Sequence, residues 1–165
     1  MSIVVVSGTR TIIEYDVVRT VLENCGFEFD ELVHGDHPGQ KVRNIPYASV
    51  DRLAGRWAER NDIPVKPMPA DWDKYSFRAG PIRNGEMFVY ANRRARELGT
   101  TVAFAAVWDG RSHGTADALS KARAHQIPIC KAIVWNGEIR FEFINHPHFT
   151  ESYTLNRVGV PGAVR

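Results

Sequence analysis

Cysteine is scarce in this chain: only Cys25 and Cys130 occur, far apart and each in an apolar setting. Two such thiols do not make a disulfide framework, so stability must come from a hydrophobic core. They read as buried thiols in a reducing compartment, and a cytoplasmic protein is expected. Long apolar runs are also missing. The opening Met1-Ser2-Ile3-Val4-Val5-Val6 is too short for a signal peptide or a membrane span. Charge of one sign is not in excess either, with 21 Lys and Arg against 19 Asp and Glu and a formal net charge of +2. That balance removes the broad basic footprint of a nucleic-acid binder. The cluster Arg93-Arg94 with Arg96 then reads as a solvated helix face. No internal repeat, no low-complexity segment and no GxGxxG fingerprint is present. What remains is 165 residues, 44% hydrophobic and 24% charged, the profile of one globular domain.

The order of elements is informative. Ile3–Val6 is a continuous β-branched run, the pattern of a strand covered on both faces. Ser7-Gly8-Thr9-Arg10 follows as a small-residue loop, and then a helix from about Glu14 to Asn24 with Gly26 as its stop. Glu31–His34 is a second strand. A polar loop from Asp36 to about Ala48 leads to a helix capped by Ser49, with Val50, Leu53, Ala54, Trp57 and Ala58 on one face. Ile63–Met68 is a third strand, whose prolines suggest an edge. A helix from about Ile82 to Leu98 buries Met87, Ala91, Ala95 and Leu98, and Gly99 ends it. Thr101–Val107 is the strongest internal strand, followed by a helix from Thr115 to about His125 and a fifth strand at Ile127–Ile129. Asn136-Gly137 between apolar runs is a hairpin signal. The alternation predicts a Rossmann-like α/β fold. Its sheet is mainly parallel and five-stranded, with helices on both faces and a C-terminal β-hairpin. Residues 1–144 make up this domain and 145–165 an irregular tail.

In such a sheet ligands bind at the carboxyl ends of the strands. The loops at those ends are Ser7–Arg10, His34–Gly39, Ala70–Arg83 and Asp109–Thr115. Within them, Ala79-Gly80-Pro81-Ile82-Arg83-Asn84 joins a loop to a helix start. Outward N–H groups and an arginine one turn in favour an anion, phosphate above all. A capped surface helix with a solvated arginine is the plainer alternative. Other residues carry two readings each. Asp36, His34 and His37, and the pair His146 and His148, suit metal but read more simply as loop residues. Asp71 and Asp73 suit catalysis or a ribose hydroxyl, and equally a turn cap. Trp72 and Tyr75 suit stacking on a base or a place in the core. Glu86 suits acid–base work or a solvated helix start.

Taken together, Val6-Ser7-Gly8-Thr9-Arg10, Val33-His34-Gly35, Asp51-Arg52-Leu53-Ala54, Pro69-Ala70-Asp71-Trp72, Gly80-Pro81-Ile82-Arg83-Asn84 with Met87, and Gly114-Thr115 resemble a known pattern. It is that of the YspA-related (DUF2493) branch of the SLOG superfamily, which also contains the LOG phosphoribohydrolases and the DNA-processing protein DprA. The resemblance spans about Ile3 to Ile129. It implies a Rossmann-type domain that binds a nucleotide or nucleotide-derived ligand, often in phage and mobile-element settings. It also implies a homodimer or larger assembly. On this resemblance Ser7, Gly8, Arg10, Gly35, Asp51, Gly80, Arg83, Asn84, Gly114 and Thr115 line the pocket. Thr9, His34 and Pro81, in the same loops, are expected to bind the ligand with them.

Two departures narrow the expectation. An insertion, Gln40 to Val50, separates His34-Gly35 from Asp51, where the family runs a tight HGGARGAD-like loop. The PGGxGTxxE motif of the LOG hydrolases places its glutamate where this chain has Ala118, so that acid is missing. Asp117 stands one residue early. Binding or sequestration of the ligand therefore leads, with no further cofactor expected. Cleavage of an N-glycosidic or phosphoribosyl bond by Glu86, Asp71 or Asp117 is the alternative. Single-stranded nucleic-acid binding ranks last on charge, and a membrane role is not expected.

Overall fold

The computed structural model describes residues 1–42 and 45–156. Strand β1 (Ser2–Gly8) lies third in a seven-stranded sheet, at the centre of its five parallel strands. Its β-branched run is buried on both sides because successive side chains point to opposite faces. Val4 and Val6 pack against helices α1 (Tyr15–Asn24) and α2 (Val50–Arg60), and Ile3 and Val5 face the other side. Between these helices run β2 (Phe29–His34) and a two-stranded antiparallel pair, β3 (Gln40–Val42) and β4 (Ile45–Ala48). That pair replaces the predicted polar loop. It gives the backbone of a long excursion its hydrogen bonds. Ser49 caps α2, its Oγ accepting from the Arg52 N–H at 3.1 Å.

Strand β5 (Val65–Pro67) occupies the sheet edge, pairing with β2 alone, a place where a proline without an N–H is tolerated. The chain then makes a short helix α3 (Trp72–Tyr75) and a 3-10 turn (Ser76–Arg78) that runs straight into α4 (Ala79–Leu98). Thus α4 starts three residues before the expected Ile82, and Gly80 and Pro81 lie inside its first turn, where proline is tolerated. Met87, Phe88, Ala91 and Ala95 bury against the sheet. Leu98 does not: it is 47% exposed, because the last turn projects past the start of β6.

Strand β6 (Thr101–Trp108), helix α5 (His113–Ala124), β7 (Ile129–Trp135) and β8 (Glu138–Ile144) follow. The sheet order is β5-β2-β1-β6-β7-β8-β9, and the first five strands are parallel. Helices α1 and α2 cover one face, α4 and α5 the other. This is a Rossmann-like α/β fold. The β7–β8 turn has positive φ at both Asn136 and Gly137, as a two-residue hairpin of this hand requires.

Within the predicted irregular tail, Tyr153–Leu155 forms β9 and pairs with β8. Aromatic packing explains the difference. Tyr153 stacks on Phe141 with centroids 4.7 Å apart, and Phe149 packs on Phe143 at 5.0 Å. Among the described residues no helix is long and apolar enough to cross a membrane.

Candidate functional site

A cleft of about 540 Å³ opens at the carboxyl ends of β1 and β6. Ser7, Gly8 and Arg10 form its floor after β1, and α2 contributes Asp51. Gly80, Pro81, Arg83 and Asn84 come from the first turns of α4, and Gly114, Thr115 and Asp117 from α5. Each of the four expected loops reaches it. His37 and Trp72, offered by the sequence as a metal ligand and a stacking ring, also line it, as do Phe77, Ser112 and His113, which the sequence does not single out.

The start of α5 is its most open set of donors. Asp109 shapes the approach by accepting from the Arg111 and Ser112 N–H groups, each at 2.8 Å, and its own N–H donates to Thr9 Oγ1 at 3.0 Å. Burial alone raises the Asp109 pKa, but these hydrogen bonds outweigh it and hold the carboxyl below its ordinary value. Among the described residues no side chain caps the helix. The first backbone bond runs from Ala116 N–H to the Ser112 carbonyl at 3.1 Å, so the N–H groups of His113, Gly114 and Thr115 precede the ladder. A Cβ on Gly114 would meet nothing within 4 Å. Thr115 is 1% exposed, and its buried Oγ1 has no hydrogen-bond partner among the described residues. Such an orphan costs free energy unless something bonds it.

The start of α4 offers less than its sequence suggests. The Ala79 N–H donates to the Ser76 carbonyl, and Pro81 has no N–H. Arg83 is the stronger feature there. Its Nη1 donates to the Gly35 carbonyl and its Nε to Asn84 Oδ1 at 3.1 Å. Among the described residues, neither Arg83 nor Arg10 has a carboxylate within 4.0 Å. Burial lowers the Arg83 pKa, opposed by the charges of Asp51 and Asp36.

Asn84 is the mechanical link. Buried in α4, it donates from Nδ2 to Asp117 Oδ2 at 2.9 Å and to the Gly114 carbonyl at 3.2 Å. It thereby joins Arg83 to the first turn of α5. Asp117 is further held by Lys121 Nζ at 2.6 Å. Asp117 reaches the cleft because α5 begins at His113, two residues before the expected Thr115, which puts Gly114 and Asp117 on one face.

Asp51 is buried in the opposite wall. Its Oδ2 accepts from the His37 N–H at 3.0 Å. Burial pushes its pKa up to about 6, against the pull of Arg83. His37 is pushed down by burial and by the nearby Arg10.

Several expected residues lie off the cleft. Thr9 is buried behind it, its N–H bonding the Val107 carbonyl at 3.0 Å. His34 accepts the Asp36 N–H on Nδ1 at 2.9 Å and faces Gly55 of α2; burial lowers its pKa to about 4. Gly35 serves by being small, since a Cβ there would overlap the Arg83 guanidinium. Asp71 caps α3 through the Lys74 N–H at 3.0 Å, and with Glu86 it borders a separate recess of about 250 Å³. Among the described residues no group of three or more His, Cys, Asp or Glu could hold a metal ion.

Ser112 and His113 lie within the expected Asp109–Thr115 loop, and they stand at the helix start because α5 begins at His113 rather than Thr115. Phe77 carries no periodic signal at all; only the 3-10 turn aims it.

No family model matches the chain, and no curated protein does. Among solved structures, a crystal structure of selenomethionine PaaA is similar over 93% of this chain and 47% of that chain, with 12% identity and a TM-score of 0.43. The chain thus spans about half the length of that solved chain.

Proposed function

We propose that the protein binds a phosphorylated small molecule, a nucleotide or nucleotide derivative, with its phosphate at the start of α5. The observation that carries this is Thr115: among the described residues its buried hydroxyl has no partner, and it stands on a helix start in the cleft that no side chain caps. A phosphate there accepts from backbone N–H groups, from that hydroxyl, and from Arg10 or Arg83. The resemblance to the YspA-related branch of the SLOG superfamily supports the same class of ligand. It also supports a cytoplasmic sensor or sequestering protein, active in phage–host conflict and assembled as a homodimer or larger oligomer. The phosphate site moves from the Gly80 helix start to α5, and Arg83 keeps its place as a cationic partner.

Asp51 favours a second reading, in which the ligand's N-glycosidic bond is cleaved. A buried carboxyl on the cleft wall, with its pKa pushed up to about 6, can take and return a proton near neutral pH. It suits that work better than Glu86 and Asp71, which lie outside the cleft, or Asp117, which Lys121 and Asn84 already occupy.

One experiment separates the two readings. The protein is incubated with AMP, and melting temperature and free adenine are both followed. Binding alone predicts a concentration-dependent rise in Tm with AMP recovered whole. Released adenine that disappears in Asp51→Asn marks the enzyme. An unchanged Tm across the nucleoside monophosphates contradicts both.

A further inference from the structure

Two aromatic rings line the cleft while remaining open to water. Trp72 is 50% exposed and Phe77 79% exposed, high values for large apolar side chains. Leaving such surface in water forgoes roughly 25 cal/mol for each Å² that could be buried. Val89, Leu98, Trp135 and Tyr153 are exposed as well, but none of them borders this cleft.

Local structure fixes where the two rings stand. Asp71 caps α3 and so sets the turn that carries Trp72. The Trp72 ring lies along the start of α4, with Cη2 3.6 Å from where a Cβ on Gly80 would be. Ser76, between the two aromatics, holds φ +53, a conformation uncommon for a residue with a side chain. The Arg78 guanidinium sits 5.7 Å from the Phe77 ring centroid. Tyr75, the third aromatic of the segment, borders the separate recess instead.

We propose that Trp72 and Phe77 form a nucleobase subsite, on which the planar ring of the ligand stacks while its phosphate lies at α5. This rests on the nucleotide reading above, and it adds where the base lies and which side chains hold it. Continuity favours a base over a second copy of the chain. The rings share one concave space with Arg10, Arg83 and Thr115, so an occupant that reaches both ends is small and has an anionic and an aromatic pole. Stacking on an aromatic face tolerates any base, because every base has a π-face.

The test is titration calorimetry of the full chain with AMP and with ribose 5-phosphate, which lacks the base. The subsite predicts that AMP binds tighter, by roughly fivefold to a hundredfold. In the doubly substituted Trp72→Ala, Phe77→Ala protein that ratio falls towards one, while ribose 5-phosphate binds as before. Equal affinities in the native protein overturn the subsite and leave the phosphate site standing. Failure of both ligands to bind overturns the phosphate reading and the subsite with it. Sedimentation of both proteins covers the remaining occupant: if the substitutions dissociate an oligomer and leave the affinity ratio unchanged, the rings are an interface between copies and the subsite is wrong.

Discussion

Thr115 and Asp51 show how single residues report on the cleft. The Thr115 hydroxyl has no partner among the described residues, so removing it should leave stability unchanged or slightly improved. Thr115→Val is accordingly expected to keep the native Tm while AMP affinity falls roughly tenfold or more, the worth of a hydrogen bond to a charged group. Calorimetry on both proteins checks this; loss of stability with unchanged affinity would make Thr115 a core residue only. Asp51 and His34 are expected to shape the pH dependence in opposite senses. His34 is held neutral, its pKa lowered to about 4, so its contribution is lost as pH falls from 6.5 towards 4. Asp51 has its pKa raised to about 6, so the cost of ionising it is absent near pH 3.8 and complete above 6. Between pH 4 and 6 the two slopes oppose each other. In Asp51→Asn the opposing Asp51 slope is gone and the His34 slope remains. That variant should be more stable than the native protein at pH 7, by up to about 3 kcal/mol, and should lose the advantage on acidification. Urea midpoints at pH 4, 5, 6 and 7 measure it; parallel curves for the two proteins would refute the account of Asp51.

At the scale of elements, Asn84 couples α4 to α5. Its side chain accepts from Arg83 and donates to Asp117 and to the Gly114 carbonyl, three bonds from one buried amide. Asn84→Ala should cost about 1–3 kcal/mol and weaken AMP binding, because the α5 start and Arg83 lose their common brace. A Tm drop of roughly 2–4 °C per kcal/mol is the readout. The elements were the most legible part of the sequence. The buried run Ile3–Val6, the Ser49 cap and the Asn136-Gly137 turn each follow from local chemistry and appear as expected. Boundaries were less legible. Pro81 fits any position of a first turn, so it marks the start of α4 only to within a turn. The same latitude at α5 separates the expected start at Thr115 from the observed one at His113. Side-chain direction was not legible for Phe77, and β9 depends on aromatic contacts with β8 that lie outside any local window.

The whole molecule gathers the open donors of α5, Arg10 and Arg83 at one end of the sheet. Helices α4 and α5 cover one face and α1 and α2 the other, so the cleft is built by elements that also make the core. Ligand binding should therefore stabilise the entire domain. Saturating AMP, at a hundred times its Kd, is expected to add about 2.7 kcal/mol and raise Tm by several degrees. The predicted homo-oligomer is a separate matter, read directly by sedimentation with and without AMP.

The claim on which the rest depends is that phosphate lies at the start of α5. Backbone amide NMR of the full chain during titration with AMP tests it most directly. The account predicts that the largest shifts fall on the N–H signals of His113, Gly114 and Thr115, with smaller ones at Gly80 and Ile82. Shifts centred on Gly80 and Ile82, with the α5 amides unmoved, would contradict it.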